Sequence, residues 1–532
     1  MRVLVRCDGG GSLGVGHVIR SLALAEAAVA AGHEVVVAGR FEGSFLQRQL
    51  GGAPVEVVAL ATSDPGADPA GPLLALIQHL RPDVLHVDAY ELAGSLAGGP
   101  AKGSGVMGHL VLSNMEDGTF GRRPADVVVD PTFGAERSPR PDDGSTWLLR
   151  GSRYTPVRQR VVKARSRRQA GDAARTVLVV MGGTDPVGLA PGAVALLART
   201  GLALEVTVIA AGQNAQRARA AAEGSALLLT VLAPVNALAE LMSVSDLVIT
   251  AAGTTIWELC CLGVPAAVVW AVDNQREGYG RVVSAGAAIG LGGPGLGGDE
   301  RAVGLLIRAL TDSRMRDAMV LAGRRIVDGL GAWRVVTMWE AAQRQYGSGG
   351  SGGFWPVVDA TALAVRPATL QDSRQLWAWR NDPVTRAGSR STAEVPWDHH
   401  VRWLTDSLAR ADRMLLMVQD RDGPVGTVRW DLAPEPADPG EPAGPESHEW
   451  EVSITVEPQR RGQSLARPLL RAGEKALMES TRSDGTPVTA YLAVVHRDNP
   501  ASVRLFETSG YVPDLPADSR GFMRYRKAPR VP

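Results

Sequence analysis

Short runs of aliphatic and β-branched residues alternate with longer stretches in which alanine and leucine recur at helical spacing. In the first part of the chain, a helix is predicted over 18–31, and strands are predicted at 3–6, 34–38, 84–87 and 127–129. After a polar stretch the same alternation resumes, with strands predicted at 177–180, 205–210, 227–232, 247–250 and 266–269. This alternation is typical of βαβ units and parallel sheets. We therefore predict two tandem Rossmann-like domains of the α/β class, with a ligand cleft between them.

A run of glycine and serine at 347–353 interrupts this pattern and has the composition of a flexible linker. Beyond it, strands are predicted at 414–418, 425–430, 449–456 and 489–495, with helices over 373–380, after Gly462 and after Asn499. A different α/β domain follows the linker. The predicted boundaries are a first domain at 1–160, a second at 161–346, the linker at 347–356 and a third domain at 357–532.

Composition narrows the classes of partner and the cellular setting. The 56 Lys and Arg residues balance the 56 Asp and Glu residues, so no global basic field exists to hold nucleic acid or an anionic membrane, and neither partner is expected. Only three cysteines occur, two of them adjacent, which argues against a disulfide framework and a zinc cage. The chain shows no leader of signal-peptide character. We expect a cytoplasmic protein.

The first chemical motif is the glycine-rich turn between the first strand and the first helix, which places His17 near the start of that helix. The positive end of the helix dipole disfavours imidazolium, so such a histidine can act as a general base. A simple capping role for His17 is an alternative. The turn also carries Gly14 and Gly16, but the third glycine of a dinucleotide fingerprint is absent and no acidic residue ends the second strand, which argues against a nicotinamide enzyme.

Two further turns are suited to a nucleoside diphosphate, because small residues and free backbone N–H groups follow a strand in each. One carries Gly182, Gly183 and Asp185; the other carries Gly253, Thr254 and Thr255 and opens a helix. Glu258, one turn into that helix, is a candidate to bind ribose hydroxyls. The alternative is that a threonine only caps the helix and Glu258 only favours its dipole.

Residues 1–345 resemble the hydrolases that act on UDP-2,4-diacetamido-2,4,6-trideoxy-β-L-altropyranose in pseudaminic acid biosynthesis, which have the two-domain fold called GT-B. The matching residues are Arg6, Asp8, Gly14, Gly16, His17, Arg20, Asp88, Tyr90, the run 253–258, Gly263, Pro265, Asn274 and Gln275. Glu116 and Asp117 stand where the family usually has two adjacent aspartates, so Glu116 departs from the pattern. The resemblance implies that UDP lies against 182–185 and 253–258, with Gln275 nearby. It also implies that His17 is the base, with Asp8, Asp88, Tyr90 and Asn274 at the reacting sugar.

The third domain carries a loop suited to coenzyme A. Gly462 lies in a short loop between the strand 449–456 and a helix, where backbone N–H groups can bind a pyrophosphate. This loop resembles the signature of the GNAT acetyltransferases. The resemblance, which covers about 360–530, implies acetyl-CoA as cosubstrate, bound by Gln459, Arg460, Arg461, Gly462, Ser464, Asn499 and Ser502. Glu449 and Glu451, two residues apart on one face of the predicted strand, are the candidate bases, and Glu451 is the one assigned to the site. Ser464 replaces the last small residue of the signature, and Phe506 stands where many members have a tyrosine acid.

Together these features predict a GT-B-like pair of domains followed by an α/β GNAT domain. We expect a bifunctional enzyme that N-acetylates a UDP-linked 4-amino-4,6-dideoxy sugar and then hydrolyses UDP from the diacetamido product. No Asp-x-Asp motif stands out in the two Rossmann-like halves, so no metal is expected. The alternatives are a GT-B glycosyltransferase that passes the sugar to an acceptor, and a GNAT domain that acts on a protein or serves as an interaction module.

Overall fold

A computed structural model gives the fold of the chain in two compact units, Met1–Ser348 and Gly349–Pro532. It describes residues 1–10, 14–60, 70–92, 110–165, 174–182, 185, 187–235, 237–296, 299–347, 363–421, 423–433, 448–483 and 488–529. Each unit is described by itself.

The first unit begins with a seven-stranded sheet in the order β3-β2-β1-β4-β5-β6-β7, with every pair parallel. Its strands are β1 (Arg2–Cys7), β2 (Glu34–Gly39), β3 (Glu56–Ala59), β4 (Val84–Asp88), β5 (Val111–Met115), β6 (Val127–Asp130) and β7 (Trp147–Arg150). The helices are α1 (Gly16–Ala30), α2 (Ser44–Gly51) and α3 (Gly71–Leu80). The central strand β1 is buried at nearly every position because helices cover both faces of the sheet.

The second sheet of this unit has six parallel strands in the order β10-β9-β8-β11-β12-β13. These are β8 (Thr176–Val180), β9 (Leu204–Ile209), β10 (Leu227–Leu232), β11 (Leu247–Ala251), β12 (Ala266–Val269) and β13 (Ile289–Gly290). The helices are α4 (Gln159–Ala164), α5 (Leu189–Arg199), α6 (Gly212–Ala222), α7 (Leu238–Ser243), α8 (Thr255–Leu262), α9 (Arg276–Ser284), α10 (Glu300–Thr311), α11 (Ser313–Ile326) and α12 (Gly331–Gly347). Two tandem Rossmann-like domains are confirmed.

The last helix of the unit, α12, returns to the first sheet. It packs against α1 and approaches β5 and β6, and its Trp339 is fully buried. The chain therefore crosses between the two halves twice. The crossings touch, because a Cβ at Gly331 would lie 2.1 Å from the carbonyl oxygen of Thr155, and Arg334 donates at 2.6 Å to the carbonyl of Arg153.

The second unit holds a mixed seven-stranded sheet in the order β14-β15-β16-β17-β18-β20-β19. Its strands are β14 (Ala364–Pro367), β15 (Arg413–Asp420), β16 (Gly423–Leu432), β17 (Glu449–Val456), β18 (Ala490–His496), β19 (Val512–Leu515) and β20 (Phe522–Lys527). The helices are α13 (Ser373–Asn381), α14 (Pro383–Ala387), α15 (Trp397–Leu408), α16 (Ala466–Ser483) and α17 (Pro500–Thr508).

Within this sheet, the parallel pair β17 and β18 stays together for only half of its length. Pairing runs from Glu449 opposite Ala490 to Val452 opposite Ala493, whereas β17 continues to Val456 and β18 to His496. Beyond Val452 the two strands separate, which leaves backbone hydrogen-bonding groups of β17 without a partner on β18. The sheet therefore opens at the end of β17, next to the loop that contains Gly462.

Candidate active sites

The first candidate site is built on His17, the second residue of α1. Its Nδ1 lies 2.7 Å from Oδ1 of Asp88 at the end of β4. An ionised carboxylate only accepts hydrogen bonds, so this contact requires a proton on Nδ1, and in the neutral imidazole the lone pair is then on Nε2. Nη2 of Arg20 also lies 3.0 Å from this Nδ1, but it donates to Asp88 and Asp117 instead. Val15 is the N-cap of α1, and it makes no side-chain cap. His17 is therefore not the capping residue, and its imidazole is held in one orientation by Asp88.

Arg20, one turn further along α1, joins two carboxylates. It donates from Nε and Nη2 to Asp88 at 2.6 and 2.7 Å, and from Nη1 and Nη2 to Asp117 at 2.7 and 2.8 Å. Burial opposes ionisation of both carboxylates, but the Arg20 guanidinium outweighs it and holds the pKa of Asp88 and of Asp117 below the usual range. Both carboxylates are therefore charged near neutral pH.

Tyr90 completes this network. Its hydroxyl donates to Oδ2 of Asp117, and its ring packs edge-on against the imidazole of His17 with 4.7 Å between ring centres. Burial and the charge of Asp117 raise the pKa of Tyr90 well above its ordinary value, so the phenol keeps its proton. The predicted residues His17, Asp88 and Tyr90 thus lie together. Arg20 and Asp117, which were matched as motif residues but not assigned to the site, hold them in place.

Asp8 lies beside this network but is occupied by other partners. Arg6 donates to both of its oxygens at 2.7 and 2.8 Å, and Arg40 adds its backbone N–H and side chain at 2.8 and 2.9 Å. These donors outweigh burial and lower the pKa of Asp8 to about 2. Glu116 is fully buried against Arg140 at 2.8 and 3.1 Å. Both carboxylates fix the loops around the site, and a catalytic role for Asp8 stays a prediction.

The N-terminus of α8 meets the N-terminus of α1. A Cβ at Gly16 would lie 3.4 Å from Cγ2 of Thr254. Thr254 is the N-cap of α8 and makes no side-chain capping bond, so the capping alternative finds no support at that residue. The first-turn N–H groups of two helices, one from each half, therefore face the same cleft.

The other predicted UDP-binding residues are distributed around this cleft. Gly253 lies against Gln275, whose Nε2 would be 3.8 Å from a Cβ at that glycine, and Gln275 Oε1 accepts from the N–H of Ala271 at 2.8 Å. Gly182 has a positive φ of 74°. The Asp185 carboxylate accepts from the first N–H groups of α5 at 2.8 and 3.0 Å. Gly183 and the side chain of Asn274 lie outside the described residues.

Glu258, in the first turn of α8, is half-buried. Burial raises its pKa to about 7, against the opposing charges of Arg160 and Arg158. Such a carboxyl group changes its charge near neutral pH and can either donate or accept a hydrogen bond. Thr255 and Glu258 lie on the first turn of the same helix, which suits the predicted contacts to phosphate and ribose.

In the second unit, the loop after β17 forms the second candidate site. Gly462 has φ 79° and Ser464 has φ 57°, so the loop takes the left-handed conformation twice before α16 begins. Arg460 pairs with Asp420 at 2.6 and 3.0 Å, and Arg461 pairs with Asp382 at 2.6 Å. Gln459 lies in the 3-10 turn Pro458–Arg460. Both arginines of the predicted coenzyme A loop are therefore paired with carboxylates of the same unit.

The remaining predicted residues of this unit lie on β17 and α17. Glu451 accepts from Arg390 at 2.7 Å and faces Asp431 across the β16–β17 pair. Asn499 caps α17 by accepting from the N–H of Ser502 at 3.1 Å. Phe506 is buried against Tyr511, with ring centres 5.0 Å apart, and therefore has a packing role. The roles of Glu451, Asn499 and Ser502 stay predictions.

A cavity of about 390 Å³ opens between α13, α15 and the face of the sheet that carries β15 to β17. Trp379, Trp403 and His400 form aromatic walls, and Thr455 of β17 lies at one side. Because Glu451, Ser453 and Thr455 alternate along β17, Glu451 is on the same face of the sheet as the cavity. The cavity thus reaches the part of β17 that has separated from β18.

The structure also bears on metal and membrane binding. Within the described ranges, no group of three or more histidine, cysteine, aspartate or glutamate side chains is arranged to hold a metal ion. In the part of the chain that the structure covers, every helix is too short or too polar to cross a lipid bilayer.

Comparison with protein families gives one match in each of the two units. Residues 177–291 match the glycosyltransferase family 28 C-terminal domain, and residues 362–512 match the acetyltransferase (GNAT) domain. The chain therefore combines a GT-B-like pair of Rossmann-like domains with a GNAT acetyltransferase domain. The second unit thus carries a domain of acetyltransferase type, and the first unit carries a domain of glycosyltransferase type.

Two curated proteins are similar over longer stretches. The spore coat polysaccharide biosynthesis protein SpsG of Bacillus subtilis is 27% identical over 220 residues, which are 40% of this chain and 64% of that protein. An uncharacterized protein of Methanocaldococcus jannaschii is 22% identical over 433 residues, 78% of this chain and 80% of its own length. The chain thus spans slightly less than two thirds of SpsG.

Among solved structures, MurG of Acinetobacter baumannii aligns over 64% of this chain and 99% of its own, at 18% identity and a TM-score of 0.46. Spermidine N-acetyltransferase of Vibrio cholerae, in complex with CoA and spermine, aligns over 32% of this chain and 96% of its own, at 15% identity and a TM-score of 0.27.

Proposed function

We propose that the first unit hydrolyses a UDP-linked acetamido sugar. The observation that carries this proposal is the network in which Asp88 holds His17 with Nε2 free, at the point where the N-termini of α1 and α8 meet. A base for water and two sets of anion-binding N–H groups would then face one substrate. The sugar is of the 2,4-diacetamido-2,4,6-trideoxy type, following the resemblance of residues 1–345 to that hydrolase family.

In this reaction a water oxygen forms a bond to the anomeric carbon of the sugar. Nε2 of His17 takes a proton from that water, and the bond between the anomeric carbon and the diphosphate oxygen breaks. UDP leaves with the bonding electrons, so the configuration at the anomeric carbon inverts. The positive charge that develops on His17 is stabilised by Asp88, which stays ionised. Arg20 and Tyr90 keep Asp88 and Asp117 from rotating away.

The departing diphosphate gains negative charge as the bond breaks. The N-terminal N–H groups of α8 lie where they can stabilise it, since Thr254 does not use its side chain to cap them. Glu258 is assigned to the ribose hydroxyls, and a half-buried carboxyl with a pKa of about 7 suits this neutral partner.

The second unit is assigned the preceding step, N-acetylation of the 4-amino group of a UDP-linked 4-amino-4,6-dideoxy sugar. The amine nitrogen attacks the thioester carbon of acetyl-CoA, the carbon–sulfur bond breaks, and CoA leaves as thiolate, which then takes up a proton. The amine must lose a proton, and Glu451 is the candidate acceptor. The loop that contains Gly462 would bind the pyrophosphate of acetyl-CoA.

Both activities are tested with the full chain in water enriched in ¹⁸O. Incubation with acetyl-CoA and the UDP-4-amino sugar should give CoA, UDP and an acetylated free sugar that carries ¹⁸O at the anomeric position. Label in UDP instead would show attack at phosphorus and would contradict the mechanism. Glu451→Gln should slow CoA release, and Glu479→Gln, at an exposed glutamate of α16, is the control.

A glycosyltransferase is the second candidate for the first unit, because residues 177–291 match a glycosyltransferase family. In that case the same base would deprotonate an acceptor hydroxyl rather than water. Rates of UDP release with and without candidate acceptors separate the two. Release that depends on an acceptor and leaves no ¹⁸O in the sugar favours the transferase.

A further inference from the structure

The cavity between α13 and α15 is lined by cations and aromatic rings. Arg380 of α13 and Arg429 of β16 both line it, and no carboxylate is among the described residues of its wall. A volume of about 390 Å³ falls in the range of small-molecule sites. The wall therefore offers aromatic surface and positive charge to a bound ligand.

Arg380 has unused hydrogen-bonding capacity. Its Nη2 donates to the carbonyl of Ser391 at 2.9 Å, but its buried Nη1 has no partner among the described residues. Nε of the neighbouring Arg386 is likewise buried and unpartnered within that part of the chain. A buried guanidinium donor without an acceptor is costly. An anionic ligand in the cavity would satisfy the Arg380 donor, and the positive charge of Arg386 acts on the same guanidinium.

Nearby carboxylates are already committed to other arginines. Asp431 pairs with Arg413 at 2.5 Å and with Arg429 at 2.9 Å, and Glu451 pairs with Arg390. Burial, followed by the positive charges of Arg386 and Arg429, lowers the pKa of Arg380. The region around Arg380 is therefore positive, and a polycationic amine such as spermidine would be repelled there.

We infer that the acetyl acceptor of this domain carries a phosphate ester, which Arg380 binds beside Arg429 with the charge of Arg386 in support, while Trp379 and Trp403 contact the apolar or planar part of the same molecule. A nucleoside-diphosphate amino sugar has this chemistry. Thr455 places the cavity next to the separated end of β17, which is where the amine has to meet acetyl-CoA. The inference rests on the proposed acetyltransferase function and adds how its acceptor is recognised.

The test compares three amines with the full chain by following CoA release: the nucleotide-linked 4-amino sugar, the same amino sugar without its nucleotide, and spermidine. One charge-assisted hydrogen bond contributes about 1.5–3 kcal/mol, so the nucleotide-linked sugar should have a kcat/KM at least roughly tenfold higher than the free sugar. Arg380→Ala should raise the KM for the nucleotide-linked sugar about tenfold and lower the preference for this sugar over the free sugar. Arg380→Lys should restore part of the preference. Arg374→Ala, an exposed arginine of the same helix, is the matched control.

Equal kcat/KM for the free and nucleotide-linked sugars, or a loss in Arg380→Ala that is the same for both, would overturn the inference while leaving the acetylation of an amino sugar in place. Preference for spermidine would overturn the inference and the proposed acceptor class together. CoA release from none of the three amines would refute the proposed function itself. Thermal unfolding of each variant shows whether a loss is due to misfolding.

Discussion

Gly16 and Thr254 face each other across the two halves of the first unit, and a Cβ added to Gly16 would lie 3.4 Å from the Thr254 methyl group. Because each residue stands at the start of a helix, the positive ends of α1 and α8 lie next to each other. His17 follows Gly16 immediately. The arrangement brings the proposed proton acceptor next to two helix N-termini.

Replacing His17 by glutamine should abolish most UDP release. General-base catalysis contributes about 10²–10⁴-fold, so kcat should fall by at least about 100-fold, while UDP affinity changes little because the α8 N-terminus is intact. Steady-state UDP release and calorimetric titration with UDP measure the two quantities. His79→Gln, at an exposed histidine of α3, is the control. Unchanged kcat in His17→Gln would remove histidine from the mechanism.

Asp88→Asn should destabilise the first unit at neutral pH. The variant leaves Arg20 with one carboxylate fewer in a buried network, a change that costs about 3–5 kcal/mol. Because the folded pKa of Asp88 lies below its unfolded value of about 3.9, its stabilising contribution is present above that value and is lost as pH falls. The difference in Tm between wild type and Asp88→Asn should therefore narrow below about pH 4. Asp317→Asn, at an exposed residue of α11, should show no difference in Tm at any pH.

The effect of Glu258→Gln on stability should depend on pH in the opposite sense to the effect of Asp88→Asn. The folded pKa of Glu258 is about 7, above an unfolded value of about 4.3, so the folded state favours the neutral acid. The contribution of Glu258 to stability is full below the unfolded value and is lost as pH rises through 7. The Tm of Glu258→Gln relative to wild type should therefore rise between pH 5 and pH 8. UDP binding should weaken in the same variant, and a flat Tm difference would contradict the buried, proton-bearing state.

Ser464→Gly should stabilise the second unit. Ser464 has φ 57°, and the left-handed conformation costs a non-glycine residue about 1–2 kcal/mol, of which glycine gives back about 0.5–1 kcal/mol in chain entropy. A gain of roughly 1 kcal/mol or less is expected by denaturant unfolding, with acetyl-CoA binding retained. Gln463→Gly, at the preceding residue, whose φ is not positive, should instead lose stability.

The sequence predicts the buried parallel strands well, because continuous aliphatic runs such as β1 and β11 have few alternative structures. In the first unit it does not predict β3, β5, β7 or β13. β3 is largely exposed and β13 has only two residues, while the polar residues Ser113 and Asn114 interrupt the aliphatic run of β5. At the first site, the position of His17 at a helix start and the resemblance to the hydrolase family identify His17, Asp88 and Tyr90. The double role of Arg20 is not visible, because Asp117 lies 97 positions away and only the fold brings it within 2.7 Å.

The lining of the cavity between α13 and α15 is likewise not predictable from the sequence. Nothing in the sequence positions of Trp379, Arg380 and Trp403 places Arg429 of β16 beside Arg380. That neighbourhood depends on how α13 and α15 cross the sheet. Two charged donors that lack an acceptor are recognisable only once each hydrogen bond around them has been assigned.

The two chain crossings of the first unit, which touch at Gly331 and Thr155, restrict how its halves can move. A single connecting segment between two domains permits bending in any direction and also twisting. Two adjacent connecting segments permit rotation mainly about one axis and oppose twisting. Opening to release UDP would therefore follow a single path, along which Gly16 withdraws from Thr254 and returns to the same position in each turnover.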